Sequence, residues 1–304
     1  MEGIDEAEEA LLRALVRHPP GSASDESRRW DLIAGECQCK LSAGECRSKA
    51  KVVKKRLRRI VQLPRPVKDA DDECVKVFLD IDIGGAMAAF ERGAEFVKSR
   101  GLAYNLSSSD VTALGGSELS RLPSLYASDF EFSTKGRGQF RKPRQRVVIE
   151  VWKETAPLAS RNFLSLVTGM GVHEPLGLGK CGKKLTYVGC PFHRVLENFI
   201  IQGGDFVTGT GSGGESIYGK KFKDDPLGIK VECDRVGLVG MCNSGKNSNT
   251  SQFFFSLGPS KKLKGKHTFF GQIVSGFDVL AMMSVCGAGG KLEIPVTVRA
   301  CGLV

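Results

Sequence analysis

No run of the 304 residues comes near the ~20 consecutive apolar residues that span a bilayer, so no membrane helix is expected. The first residues, Met1-Glu2-Gly3-Ile4-Asp5-Glu6, lack the apolar core of a secretory leader. A cytoplasmic or nuclear location is therefore expected, where the ten cysteines stay mostly reduced. Cys37, Cys39 and Cys46 have no fourth ligand nearby, which argues against a zinc site. Bases are missing from the first nine residues, which carry five acids. Acids are missing from Arg47 to Lys68, which carries ten bases. A second basic patch, KGRGQFRKPRQR, runs from Lys135 to Arg146. Such runs serve either as solvated helix faces and linkers or as contacts to nucleic acid, ribosomes or import factors. The net charge of +10 permits an anionic partner without naming one.

What is present reads as two parts. Residues 1–63 suggest three helices. Asp5 to His18 places Leu11, Leu12, Leu15 and Val16 on one face and acids in its first turn, and Pro19-Pro20-Gly21 stops it. A short helix from Arg29 to Gly35 carries Trp30. A third starts at Ser42 with Glu45 in capping-box spacing and enters the basic run. Residues 64–73 read as a linker, with Pro64, Pro66 and an acidic stretch. Residues 74–304 form the second part. A strand is expected from Cys74 to Ile83, a helix from Ala86 to Lys98, and a second strand from Arg146 to Trp152. The stretch at about 86–145 reads as an insertion, partly disordered after its helix because it is rich in serine, glycine and charge. Beyond it come a helix from Pro157 to Thr168, many short strands separated by glycine, and a last helix from Gly276 to Val285. This pattern suggests a closed antiparallel barrel with two helices available to cap it.

The densest chemistry lies in Phe192-His193-Arg194, Phe199 and Gln202-Gly203-Gly204-Asp205-Phe206. Aromatic side chains beside one long cation suggest a pocket for an uncharged apolar ligand, touched by one strong donor. A metal site, a phosphate loop and a nucleophile triad would each look different.

Several long motifs stand in one order around that stretch. They are Pro157-Leu-Ala-Ser-Arg-Asn162-Phe163, the Phe192–Phe206 stretch, Gly213-Gly214-Glu-Ser216-Ile217-Tyr218-Gly219, Gly240-Met241-Cys242-Asn243, Asn249-Thr250-Ser251-Gln252-Phe253-Phe254, and Leu263-Lys264-Gly265-Lys266-His267 with Phe270-Gly271. With them, residues 75–85 and 146–303 resemble the cyclophilins, the barrel family of peptidyl-prolyl cis–trans isomerases. The resemblance implies a mainly β fold, an eight-stranded closed antiparallel barrel capped by two helices, and no cofactor. It implies Arg194, Phe199 and Gln202 as catalytic, with Phe199, Phe254 and Leu263 forming the proline pocket. Gln202 would bond a substrate carbonyl or Arg194. Asn243 would hold the substrate backbone, Gln252 and His193 would support or flank the site, and His267 would close one wall. For His193 a histidine satisfied behind the pocket competes with a direct role.

The chemistry explains these residue types. Rotation about X–Pro breaks amide conjugation, with a barrier of roughly 20 kcal/mol. In the twisted form the prolyl nitrogen regains a lone pair, and a fixed guanidinium donating to it favours that form over the planar one. A tenfold effect needs only ~1.4 kcal/mol of such differential binding.

Three positions depart from the family pattern. Ile200 stands at a common methionine and Cys242 at a usual alanine. Lys262 replaces the tryptophan of drug-sensitive members, so cyclosporin binding is expected to be weakened more than catalysis. The loop from Gly171 to Gly189 resembles that of cyclophilins with a divergent loop. Cys181, Cys190 and Cys301 make a redox switch conceivable, against simple buried or solvated thiols. Residues 1–63 also resemble a Myb/SANT-type module, through the acidic Leu-Leu helix, the His-Pro-Pro-Gly turn, Arg29 to Ala34 and Glu45-Cys46. Ile4 stands at that family's usual first tryptophan. The expected function is X–Pro isomerisation of protein substrates by a monomer. The competing reading is a noncatalytic adaptor that binds proline peptides, and residues 1–68 would contact chromatin or nucleic acid.

Overall fold

The computed structural model describes residues 75–143, 145–171, 174–219 and 221–304. The expected three-helix module, the linker and the Myb/SANT resemblance lie outside the described residues. Those described divide into two compact units, 83–143 on one side and 75–82 with 145–304 on the other.

The larger unit is the barrel. Its strands are β1 (Val75–Ile83), β2 (Arg146–Val151), β3 (Phe192–Leu196), β4 (Ile200–Gly203), β5 (Leu238–Met241), β6 (Phe253–Ser256) and β7 (Phe269–Ser275). A two-residue pair, β8 (Gly287–Ala288) and β9 (Lys291–Leu292), precedes β10 (Val296–Leu303). Eight of them form one sheet in the order β10-β1-β2-β7-β5-β6-β4-β3, and each neighbouring pair in the run from β1 to β3 is antiparallel. The two edges meet at an antiparallel bridge, Pro191 with Thr297, where Val298 N–H donates to Cys190 O at 2.9 Å. The sheet is thus nearly closed, which removes most of the unpaired edge that an open sheet exposes.

β1 is a clear case of alternation setting register. Val77, Leu79 and Ile81 are fully buried, while Lys76, Phe78 and Asp80 between them are not. β6 is apolar on both faces and buried throughout. Two helices pack on the barrel, α3 (Pro157–Thr168) and α4 (Phe277–Ser284). Pro157 occupies the first turn of α3, where no N–H is required. Asp225, far along the chain, accepts from Leu158 N at 3.1 Å and Ala159 N at 2.9 Å, satisfying two orphan donors of that helix. Phe163 of α3 then enters the core, with ring centroids 5.2 Å from Phe253 and 4.9 Å from Phe270. Its burial, with that of Leu166 and Val167, joins helix to barrel.

The stretch expected to be partly disordered is folded, and this corrects the sequence reading. α1 (Ala86–Arg100) and α2 (Gly116–Ser128) are linked through a short 3₁₀ turn at Val111–Ala113, a second follows at Phe132–Thr134, and all pack on one aromatic core. Phe96 stands at its centre, 5.6 Å or less from Tyr104, Tyr126 and Phe132 by ring centroid. Asp129 ties the unit together. It accepts from Phe132 N and Glu131 N at 3.0 Å, Arg100 Nε at 3.1 Å and Tyr104 OH at 3.2 Å. Beyond the expected first helix, which brings Phe90, Phe96 and Val97, the apolar residues arrive singly from polar segments, so no periodic run announced them. No helix among the described residues is long and apolar enough to cross a membrane.

Candidate active site

The site grows from one row of the sheet. Arg194 of β3 pairs with Gln202 of β4, Gln202 with Phe254 of β6, and Phe254 with Gly240 of β5. Four strands thus place residues some sixty apart on one line. Glycine is required at 240, since a Cβ there would sit 2.6 Å from Cζ of the Phe254 ring. The register of β3 shifts between Phe192 and Arg194, an irregularity that re-aims side chains. Arg194 itself is exposed, and its charge is felt at Cys242 and His193.

An apolar wall stands beside it. Phe254 and Leu263 are buried in one cluster with Ile200, Trp152, Leu238, Cys233 and Phe269, and Phe199 and Cys242 pack against that cluster while partly exposed. Phe199 is held by the β3–β4 turn, where its N–H donates to Leu196 O at 3.1 Å. Cys242 is fixed by its N–H donating to Gln252 O at 2.9 Å. Burial pushes the Cys242 thiol well up, and the Arg194 charge nearby only partly opposes this, so the thiol is a neutral apolar surface. His267 closes the far side. Its Nδ1 lies 3.0 Å from Met241 O, and its ring meets the Phe254 ring edge-on at 5.5 Å. Burial lowers the His267 pKa more than the Met241 carbonyl raises it, so the ring is neutral near pH 7.

The polar side is a chain of amides. Gln252 Nε2 donates to Gly211 O at 2.9 Å and Gly213 O at 2.7 Å. Both amide protons are then used, so Gln252 presents Oε1 to its neighbour, and Gln202 Nε2 donates to it at 2.8 Å. That bond leaves the Gln202 carbonyl oxygen available to accept, and the row partner Arg194 or a substrate N–H would suit it as donor. Asn243 is half-buried and anchored by Nδ2 donating to Lys266 O at 2.8 Å.

Two expected residues stand apart from this cluster. Lys262 is exposed and adjoins the pocket through the chain connection to Leu263. His193 lies behind the row against Gly211, where a Cβ would meet its Nε2 at 2.6 Å. Neither of its ring nitrogens finds a partner among the described residues. Burial lowers its pKa, which keeps the imidazole neutral despite the nearby Asp205.

Asp205 was quoted in the motif and given no role. Fully buried, it accepts from Val207 N at 3.1 Å and Thr208 N at 2.9 Å on one oxygen, and from Thr208 Oγ1 at 2.5 Å, Gly211 N at 2.8 Å and Gly213 N at 3.0 Å on the other. It shapes the loop whose carbonyls orient Gln252. Gly211 sits at φ +90°, a conformation that favours glycine. Burial pushes the Asp205 carboxyl up, but the bonds from Thr208, Gly213 and Gly211 outweigh it and hold it far below the usual carboxylate range. An acid heading a run of threonine, serine and glycine was the available sign. Among the described residues no group of three or more His, Cys, Asp or Glu could hold a metal.

Comparison with known proteins now decides the family. Residues 133–303 match the family described as cyclophilin type peptidyl-prolyl cis-trans isomerase/CLD. The chain is a cyclophilin. It is 42% identical over 167 residues to the NK-tumor recognition protein of Mus musculus, across 54% of this chain and 11% of that protein. The chain therefore spans about a tenth of that relative. In this cyclophilin the matched stretch begins after β1, which the helical unit separates from the rest of its barrel.

Proposed function

We propose that this cyclophilin isomerises X–Pro bonds in protein substrates by noncovalent stabilisation of the twisted amide. The observation that carries the reading is the row Arg194–Gln202–Phe254. It sets an exposed guanidinium and an oriented amide oxygen beside the wall of Phe199, Phe254, Leu263 and Cys242. The proline ring enters against that wall. His267, Ile200 and Asn243 bound it, and Arg194 donates to the prolyl nitrogen as its lone pair is released. Planar ground state and twisted transition state share the apolar contacts. Only the hydrogen bond from Arg194 discriminates between them, and only that discrimination accelerates rotation.

The test compares wild type with Arg194→Ala in an isomerisation assay on an Ala-Pro peptide. Loss of a preorganised charged donor is expected to lower kcat by about a hundredfold. Equal rates would leave a proline-binding adaptor as the function. Cyclosporin sensitivity is expected to be reduced by Lys262. The proposal that residues 1–68 tether the enzyme to chromatin or nucleic acid rests on their sequence alone. It is tested by duplex binding of the full chain, which should weaken steeply with salt.

A further inference from the structure

The wall that faces Arg194 carries an uneven charge. From Val236 to Phe277 the chain has five lysines and no aspartate or glutamate. This stretch supplies Cys242, Asn243, Gln252, Phe254, Leu263 and His267 to the site. Lys246, Lys261, Lys262, Lys264 and Lys266 are all exposed. Leu263 is buried in the pocket wall, so Lys262 and Lys264 flank a pocket residue directly. The Lys266 carbonyl anchors Asn243, which brings the loops at 243–247 and 261–267 together. Lys221 adds a further cation, with Nζ 3.3 Å from Ser244 Oγ.

The acids nearby are already engaged. Glu232 pairs with Lys264 and also feels Lys261. Asp224 lies near His267 and accepts from Asn247 N at 2.7 Å and Asn249 Nδ2 at 2.8 Å. Asp234 pairs with Arg235 at 2.7 Å, and Asp225 is buried under α3. Among the described residues Lys246, Lys262 and Lys266 have no ion-pair partner. The proline pocket thus opens within a rim whose positive charge is only partly neutralised.

We propose that this rim selects X–Pro segments with an anionic group, carboxylate or phosphate, beside the proline. The inference rests on the isomerase reading of the same site and adds the class of substrate. A flanking anion a residue or two from the proline faces two or three lysines across water. A flanking cation is repelled by the same charges. The effect is long-ranged and sensitive to salt, unlike the contact of the proline ring with Phe254 and Leu263.

The experiment uses the full chain and four peptides with one Ala-Pro core. They are flanked on both sides by glutamate, phosphoserine, alanine or lysine. Binding is read by fluorescence anisotropy and turnover by kcat/KM, each in low and high salt. At low salt the glutamate peptide is expected to exceed the lysine peptide by about tenfold, and the two should converge toward 1 M salt. Phosphoserine carries nearly twice the charge of glutamate, so a gain that exceeds this ratio and survives high salt assigns phosphate as the recognised group, and a gain no larger than that of glutamate assigns carboxylate. The triple variant Lys261→Glu/Lys262→Glu/Lys266→Glu should invert the order. Because the readout is a ratio between peptides on one protein, a general loss of activity leaves it interpretable.

Equal binding and turnover of all four peptides would overturn the proposal while leaving the isomerase reading intact. Anionic preference in binding, with no turnover of any peptide, would overturn the isomerase reading and support the rim. Displacement of the glutamate peptide by a duplex oligonucleotide at equal or lower concentration would also overturn the proposal, since the lysines would then face nucleic acid.

Discussion

The orientation of Gln202 depends on Gln252, and Gln252→Leu tests that dependence. The side chains are similar in size, and Gln252 is buried, so the substitution deletes an amide with little change in volume. Three hydrogen bonds go with it: those to Gly211 O and Gly213 O and the one accepted from Gln202. The loop carbonyls lie close to solvent and recover part of the loss through water. The expected cost in stability is about 1–3 kcal/mol, the range for partly compensated polar groups. The functional cost is separate. Without an acceptor at Gln252, the Gln202 amide loses the bond that anchors its nitrogen, and its position is fixed less firmly. On the proposed mechanism, a guanidinium left to wander loses the alignment on which discrimination between planar and twisted amide would depend. We expect kcat for an Ala-Pro peptide to fall about tenfold with KM changed by less than about twofold, a loss of roughly 1.4 kcal/mol confined to the transition state. Gln252→Glu divides the effect, since a carboxylate still accepts from Gln202 but cannot donate to the loop. It should retain more of kcat than Gln252→Leu while its loop loosens, seen as faster hydrogen exchange at Gly211 and Gly213. Wild-type kcat in Gln252→Leu would refute the orienting role outright.

Asp205→Asn should destabilise the protein at pH 7, because an NH2 group replaces one oxygen that accepts from backbone N–H groups. The folded carboxyl is held below its unfolded value of about 3.9, so its contribution is complete above that pH and is lost as pH falls through the folded value. The stability gap between wild type and variant, read from denaturant melts, should therefore narrow below about pH 4, and a gap independent of pH would contradict it. Phe96→Ala removes the centre of the helical unit, at an expected cost of about 3–5 kcal/mol to that unit. Hydrogen-exchange protection should fall across residues 86–140, and unchanged protection there would refute the assigned core. Burial pushes Cys190 up to about 12 and Cys301 up to about 11, leaving both as neutral thiols at pH 7.5. Among the described cysteines, exposed Cys181 should be alkylated first by iodoacetamide, and Cys190 reacting as fast as Cys181 would show the burial to be wrong.

Legibility from sequence followed the range of the interactions. β1 could be read because one face is buried and the other is not, so Val77, Leu79 and Ile81 carry the period themselves. The pocket could be read because β4 and β6 run beside each other, and Gln202 and Phe254 each sit in a motif that the family resemblance places. The helical unit could be read only in its first helix, which carries Phe90 and Phe96. Tyr126, Phe132 and Phe140 come singly from segments rich in serine, glycine and charge, and only their meeting with that helix makes a core. The sequence leaves two readings of His193 open for a related reason. A histidine's satisfaction depends on whether a carbonyl or carboxylate lies in the plane of its ring, and the neighbour at that place is Gly211, which brings no acceptor side chain. The amide pair is the clearest instance. A glutamine side chain alone is free to rotate, although only its oxygen suits the all-donor guanidinium of Arg194. What removes that freedom at Gln202 is Gln252, and what removes it at Gln252 is two carbonyls some forty residues earlier in a loop shaped by Asp205. The polarity of the site is therefore a property of the closed loop and not of either glutamine. Substitutions at Asp205 should accordingly reach Arg194 without touching substrate.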